Sequence, residues 1–158
     1  MKHTISVLVE NKFGVLARIS GLFSARGFNI DSLTVGETED KSVSRMTIIV
    51  NAKDERILEQ VKKQLNKLID VITVIDLTKK DFIERELVLV KVSLSKMNKV
   101  KLEALLKKYS ANIIKGNSKL AVVEACGEEQ HLERLLTELK EFGYEELTRT
   151  GVIAINTE

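Results

Sequence analysis

The residues best suited to chemistry lie in a short polar turn, NKFGVL, at positions 11–16. Gly14 allows a ligand to approach the backbone closely, and the amide of Asn11 can donate and accept hydrogen bonds. Where a strand turns into a helix, unpaired N–H groups and the positive end of the helix dipole favour an anion such as a carboxylate. Asn29 supplies a second amide, so the two asparagines together suit the amino and carboxylate groups of a free amino acid. The apolar surroundings that we expect for such a ligand are Val15, Ile30 and Val35.

A plainer interpretation of this turn stays open. A lone glycine can serve only to make the turn between a strand and a helix, and asparagine is common in turns because it tolerates the left-handed conformation. Spacing alone favours this structural role of Gly14 over a ligand site.

The sequence offers few groups for catalysis. It contains no GxSxG, P-loop or dinucleotide glycine motif. His3 and His131 are predicted to be surface residues, the first in a frayed terminus and the second on a helix, without metal ligands at suitable spacing. The first turn has Lys12 but no arginine, which acyl phosphate hydrolysis would need. We therefore expect no catalytic residue and no metal site on this chain.

Charge and composition argue against several partners. The 25 basic and 23 acidic residues are interspersed and give a net charge of +2, so no strong field marks a nucleic-acid partner. No segment approaches the roughly 18 apolar residues of a membrane span. The single cysteine, Cys126, lies in the apolar run LAVVEAC and is predicted to be a buried, inert thiol, which fits a reducing compartment. We expect a cytoplasmic protein that binds neither nucleic acid nor membrane.

Hydrophobic periodicity predicts the elements that must position the turn. The first 78 residues give the order βαββαβ. Gly27 is predicted to end the first helix as its C′ residue, and Asp54 is predicted to cap the second. The predicted strands cover about residues 3–10, 28–36, 43–51 and 70–77, and the predicted helices cover 14–26 and 54–68.

The same order of elements recurs in the second half of the chain, which indicates a weak internal repeat. A shift of 83 residues keeps the apolar register but loses the glycine turn, so we expect one binding half and one structural half. Units of about 75 residues with exposed sheet edges also predict at least a homodimer. The residues matched by this shift include Ile5 with Val88, Val7 with Val90, Ile19 with Leu102, Leu22 with Leu105, Phe23 with Leu106 and Asn29 with Asn112.

Several long stretches closely resemble one known family, the small regulatory subunit of acetolactate synthase (acetohydroxyacid synthase). They are VENKFGVLARISGLFSARGFNIDSLTVG at 9–36, SRMTIIV at 44–50, EQVKKQLNKLIDVITV at 59–74, IERELVLVKV at 83–92 and RTGVIAIN at 149–156. The resemblance implies an α+β fold of two tandem ferredoxin-like βαββαβ units, each an antiparallel sheet with two helices on one face. It also implies an ACT domain for effector binding at residues 1–78, a short linker at 79–84 and a C-terminal ferredoxin-like domain at 85–158.

The resemblance also implies a noncatalytic role. Such a subunit forms a homodimer through its ACT domains and binds a large catalytic subunit, which carries thiamine diphosphate, magnesium and FAD. It raises the activity of that subunit and confers feedback inhibition by valine or another branched-chain amino acid. The effector would lie between two copies, held by the turn of one protomer and the start of the second strand of the other. The residues implied for this site are Asn11, Lys12, Phe13, Gly14, Val15, Leu16, Asn29 and Ile30.

The sequence departs from the family pattern at two places. Phe13 stands where the family often has proline or a small residue, and Lys115 stands where related chains have an acidic residue. Two other functions are alternatives: a free-standing ACT-type amino-acid sensor that regulates transcription, and a small hydrolase on the same fold.

Overall fold

The computed structural model describes residues 2–51, 55–94 and 96–157. The chain folds into two compact units, Met1–Ile83 together with Val152–Glu158, and Glu84–Gly151. The domain boundaries expected from the sequence, 1–78, 79–84 and 85–158, stay a prediction. The predicted cap Asp54 lies outside the described residues.

The first unit is a four-stranded antiparallel sheet in the order β2-β3-β1-β4 with two helices. Its core lies between the helices and the sheet, because Ile19 and Phe23 of the first helix pack with Ile5 and Val7 of the first strand. The elements are β1 (Lys2–Glu10), α1 (Val15–Ser24), β2 (Ile30–Glu37), β3 (Val43–Asn51), α2 (Glu55–Leu65) and β4 (Val71–Asp76).

The second unit repeats this plan with strand order β6-β7-β5-β8. Its core joins Val88 and Val90 of the first strand to Leu102 of one helix and Leu132 of the other. The elements are β5 (Phe82–Ser93), α3 (Lys96–Tyr109), β6 (Asn112–Gly116), β7 (Leu120–Gly127), α4 (Glu129–Leu139), a short 3₁₀ turn (Lys140–Phe142) and β8 (Tyr144–Arg149). A last strand, β9 (Ile153–Asn156), pairs with β5.

The predicted fold of two tandem βαββαβ units is confirmed. The 83-residue shift relates the two cores as expected, since both members of the pairs Ile5/Val88 and Ile19/Leu102 are buried. Helix α1 is shorter than predicted, because Gly27 has a left-handed φ of 69° and the N–H of Phe28 bonds back to the carbonyl of Phe23 at 3.1 Å. This is the expected glycine-terminated helix end.

Three predictions about single side chains are wrong. His3 is not in a frayed terminus, because β1 begins at Lys2; His3 pairs with Val50 of β3 and is only 2% exposed. Nor is His131 a plain surface residue, since its ring is half-buried and makes an edge contact with Tyr109. Cys126 is exposed rather than buried, because the alternate positions of β7 supply the core and Cys126 points to the other face.

Candidate functional site

The turn between β1 and α1 favours a glycine because of its backbone conformation. Gly14 caps α1 with a left-handed φ of 81°, a conformation that side chains other than glycine rarely adopt. A Cβ atom at this position would also lie 3.1 Å from Nη1 of Arg18. The structure therefore gives Gly14 the turn-making role that spacing alone favoured, while leaving its backbone open to a ligand.

The start of α1 leaves hydrogen-bond donors unpaired. The N–H of Lys12 donates to the Glu10 carbonyl at 2.9 Å, and the N–H of Val15 lies 3.4 Å from the Lys12 carbonyl. In the part of the chain that the structure describes, the N–H groups of Phe13, Gly14 and Leu16 make no hydrogen bond, and no side chain caps the helix. These donors and the helix dipole are suited to a carboxylate.

The cations around the turn are already paired with carboxylates. Nζ of Lys12 lies 2.8 Å from Oε2 of Glu10, and this contact raises the pKa of Lys12 through the hydrogen bond first and the charge attraction second. Arg18 places Nη2 2.7 Å from Oδ2 of Asp70, and its Nε donates to the same oxygen at 2.8 Å. Because these charges are balanced locally, the attraction for an incoming carboxylate comes from the backbone N–H groups.

Asn11 ties the turn to the hairpin between β2 and β3. Its backbone N–H donates to the Ser42 carbonyl at 2.7 Å, and its side-chain nitrogen donates to Oε1 of Glu37 at 3.1 Å and to the Lys41 carbonyl at 2.9 Å. The carbonyl oxygen of the Asn11 side chain is thus the atom that can accept a hydrogen bond from an ammonium group.

The side chains of the turn differ in what they can offer a ligand. Val15 is buried in the core of the first unit, so only its backbone can face a ligand. Phe13 is fully exposed, and Leu16 and Val35 are also exposed apolar side chains. These exposed apolar side chains are available to contact a ligand or a second chain.

The other half of the predicted site lies at the opposite end of the sheet. Ile30 pairs with Val50, which in turn pairs with His3, whereas the turn follows Glu10 at the far end of β1. Seven strand residues separate these two levels, which corresponds to about 23 Å. A single chain therefore does not bring Asn29 and Ile30 to the residues at 11–16, and the amide of Asn29 donates instead to Oδ1 of Asp31 at 2.9 Å.

Sequence reasoning missed the Arg18–Asp70 pair, which braces the turn from the side of β4. The backbone carbonyl of Asp70 also accepts the Glu10 N–H at 2.8 Å, so one nearly buried residue holds both ends of the turn. The sequence feature that relates to this contact is the spacing of Arg18, which lies one helical turn after Gly14.

The described residues form neither a candidate metal site nor a membrane-spanning helix. Within 2–51, 55–94 and 96–157, no group of three or more His, Cys, Asp or Glu side chains could hold a metal ion. Among the same residues, no helix is long and apolar enough to cross a membrane. Two tandem ferredoxin-like βαββαβ units, the first with an anion-favouring turn, define the structural class of this chain.

Comparison with known proteins identifies the family within this class. Residues 5–73 match the model of the AHAS small subunit-like ACT domain, and residues 85–158 match that of the small subunit of acetolactate synthase. The chain belongs to the family of acetolactate synthase small subunits. Membership of this family supports a regulatory subunit without catalytic groups of its own.

Individual relatives agree with this assignment over the whole chain. A probable acetolactate synthase small subunit of Archaeoglobus fulgidus is 45% identical over 155 residues, which cover 98% of this chain and 96% of the relative. The acetolactate synthase small subunit of Bacillus subtilis is 40% identical over 154 residues, covering 98% and 90%. The crystal structure of the acetolactate synthase small subunit from Thermotoga maritima superposes with a TM-score of 0.91 at 35% identity, covering 100% of this chain and 98% of that one.

Proposed function

We propose that this chain is the regulatory subunit of acetolactate synthase in branched-chain amino acid biosynthesis. In this proposal a homodimer binds the large catalytic subunit in the cytoplasm, raises its activity and confers feedback inhibition by valine. Thiamine diphosphate, magnesium and FAD belong to the catalytic partner, and this chain supplies no cofactor ligand. The family membership supports the role, and the geometry of the turn supports the effector site.

The main observation behind the proposed effector site is that its two halves lie far apart within one chain. Strand β2 lies at the edge of the first sheet, and an edge strand can pair with a second copy. If two β2 strands paired antiparallel about a two-fold axis, the start of one would lie beside the end of the other. Glu37 ends β2 and is bonded to Asn11, so this pairing brings Asn29 and Ile30 of one copy to the turn of the other.

In the shared site each group has a defined task. The N–H groups of Phe13, Gly14 and Leu16 bind the carboxylate, and the Asn11 and Asn29 side chains bind the ammonium group. Lys12 stays paired with Glu10, and the exposed Leu16 and Phe13 with the half-buried Ile30 surround the aliphatic side chain. Val15 contributes backbone alone. Valine then regulates because it binds one arrangement of the dimer better than the other.

The first test mixes the purified chain with its catalytic subunit and titrates valine. We expect the chain to raise acetolactate formation and valine to lower it again. A chain that neither activates the catalytic subunit nor makes it valine-sensitive would refute the proposed function.

A charge placed in the turn tests the carboxylate contact. Gly14→Asp puts a negative charge near the bound carboxylate, and two such charges about 5 Å apart repel by about 1–3 kcal/mol, or roughly 5–150-fold in affinity. Gly21→Asp is a control for the added charge, because Gly21 lies within α1 and no atom lies within 4 Å of the new Cβ. Equal valine affinity of the two variants by calorimetry would remove the turn from the site.

Mixing two defective chains tests whether the site is shared. Gly14→Asp damages the turn and Asn29→His damages the start of β2, so each homodimer carries two damaged sites. A mixed dimer carries one site with both lesions and one site with neither, so a statistical mixture regains roughly a quarter of its sites. If each site lay within one chain, the mixture would regain none.

A further inference from the structure

The residues that follow the second unit return to the first. Residues 152–157, which we call the C-terminal strap, fold with the N-terminal compact unit although the whole second unit precedes them in the chain. Val152 and Ala154 are 3% and 5% exposed, whereas Ile153 and Ile155, which alternate with them, are exposed. This alternation is typical of a strand with one buried side.

Hydrogen bonds fix the strap at both of its ends. The N–H of Val152 donates to Oγ of Ser32 at 3.1 Å, and both the N–H and the hydroxyl of Thr157 donate to the Asp81 carbonyl, at 3.1 and 2.9 Å. Strand β9 of the strap also contacts β1. The strap is therefore a docked strand, which also pairs with β5, and not a loose tail.

The contact with Ser32 lies close to the proposed effector residues. Ser32 follows Ile30 by two positions in β2 and pairs with Ile49 of β3, and the register of this ladder shifts between Ile30 and Ser32. Such an irregularity bends a strand and changes the direction of the side chains next to it. A ligand that orders the start of β2 therefore affects the segment that sets the direction of the Ser32 hydroxyl.

The chain just before the strap is held as firmly in the second unit. The N–H of Thr150 donates to the Leu87 carbonyl at 3.0 Å, and the Leu87 N–H donates to Oγ1 of Thr150 at 3.1 Å. Gly151 follows with a left-handed φ of 84°. Only Gly151 separates Thr150, anchored in one unit, from Val152, anchored to Ser32 in the other.

We infer that Ser32 is a positioning residue, which passes the occupancy of the effector site to the second unit through the C-terminal strap. The inference rests on the proposed function, since it needs an effector at Asn29 and Ile30. Effector binding fixes the direction of the Ser32 hydroxyl, which holds the N–H of Val152. Because only Gly151 lies between Val152 and Thr150, a change at Val152 passes along the backbone to Thr150, which is bonded to Leu87.

Removing the hydroxyl tests this role. In Ser32→Ala we expect valine to bind the dimer within about threefold of the wild-type affinity by calorimetry and activation of the catalytic subunit to persist. The inhibition reached at saturating valine should fall to less than about half of its wild-type extent, because binding and its consequence are no longer coupled. Ser32→Thr keeps a hydroxyl and should restore the inhibition.

The control is Ser20→Ala, which removes a hydroxyl that donates to the Ala17 carbonyl within α1 and should leave inhibition unchanged. Hydrogen exchange of the chain without its catalytic partner gives a second readout. Valine should change the protection of residues 144–152 in the wild-type dimer and leave it unchanged in Ser32→Ala.

The outcomes separate this inference from the proposed function. A wild-type chain that binds no valine and does not activate the catalytic subunit overturns both. A wild-type chain that is valine-sensitive, beside a Ser32→Ala variant with full inhibition and the same exchange response, overturns the role of Ser32 alone. Loss of valine binding in Ser32→Ala and Ser32→Thr alike would also overturn it, because the residue would then serve the site itself.

Discussion

The two units end their first helix in the same way but with different residues, which allows a quantitative test of backbone strain. In the first unit the N–H of Gly27 bonds to the Ser24 carbonyl at 3.0 Å. In the second unit Ser110 lies 83 residues later, its N–H is 3.4 Å from the Lys107 carbonyl, and the next N–H, that of Ala111, bonds to the Leu106 carbonyl at 2.9 Å. The φ angles are 69° for Gly27 and 53° for Ser110, so the serine occupies a position that suits glycine.

The expected magnitude follows from these angles. A residue with a Cβ costs about 1–2 kcal/mol in the left-handed region, and the greater freedom of glycine in the unfolded chain offsets about 0.5–1 kcal/mol of this. Ser110→Gly should therefore raise the free energy of unfolding by about 0.5–1 kcal/mol, and Gly27→Ser should lower it by the same amount. No atom lies within 4 Å of a Cβ built on Gly27, so the backbone alone decides the effect there.

Urea and thermal unfolding of the three proteins measure the effect, with an expected shift of about 2–4 °C in Tm per kcal/mol for a chain of this size. Gly21→Ser is the control, because Gly21 lies inside α1 with an ordinary helical backbone and serine is the better helix former, so stability should rise slightly. The reasoning fails if Ser110→Gly is no more stable than the wild type, or if Gly27→Ser is as stable as Gly21→Ser.

Two further predictions concern side chains whose surroundings the structure defines. The Glu86 carboxyl is 5% exposed, and its Oε2 accepts no hydrogen bond although Nη1 of Arg149 lies 3.7 Å away. Burial raises the pKa of Glu86 more than the charge of Arg149 lowers it. Because the folded pKa lies above the unfolded one, the stability that Glu86 contributes is full below the unfolded pKa and is lost as the pH rises through the folded pKa. Glu86→Gln should thus be more stable than the wild type by about 1 kcal/mol at pH 7, and the difference should vanish near pH 4; a constant difference across this range would contradict the assignment. Cys126 is exposed, so a thiol reagent should modify it in the native protein as fast as in urea, and protection until unfolding would show that the strand faces the other way.

The fold was predictable because its signals are local and repeated. The stripes of α1 and of α3 fall at helical spacing, and the same apolar types recur 83 residues apart at Ile5 and Val88. Helix ends were predicted less accurately, since the end of α1 depends on how Gly27 and Phe28 fold back on Phe23. Such hydrogen bonds depend on the backbone, which an apolar pattern does not specify.

The candidate site was predictable only in part. Gly14 could be assigned to the turn from sequence, but the brace between Arg18 and Asp70 joins residues 52 positions apart and leaves no local pattern. Cys126 was misjudged because an apolar run does not show which face of a strand each residue takes. The return of residues after Gly151 to the first unit was also invisible, because these residues continue the second half of the repeat in sequence.

The C-terminal strap sets the order in which this protein can be completed during synthesis. Domains generally fold from the N-terminus as the ribosome releases them. Here the first unit lacks Val152 and Ala154, two of its buried residues, until the entire second unit has left the ribosome. The nascent first unit therefore stays incomplete until the C-terminal strap has been synthesised, and this happens only after the whole second unit has been made.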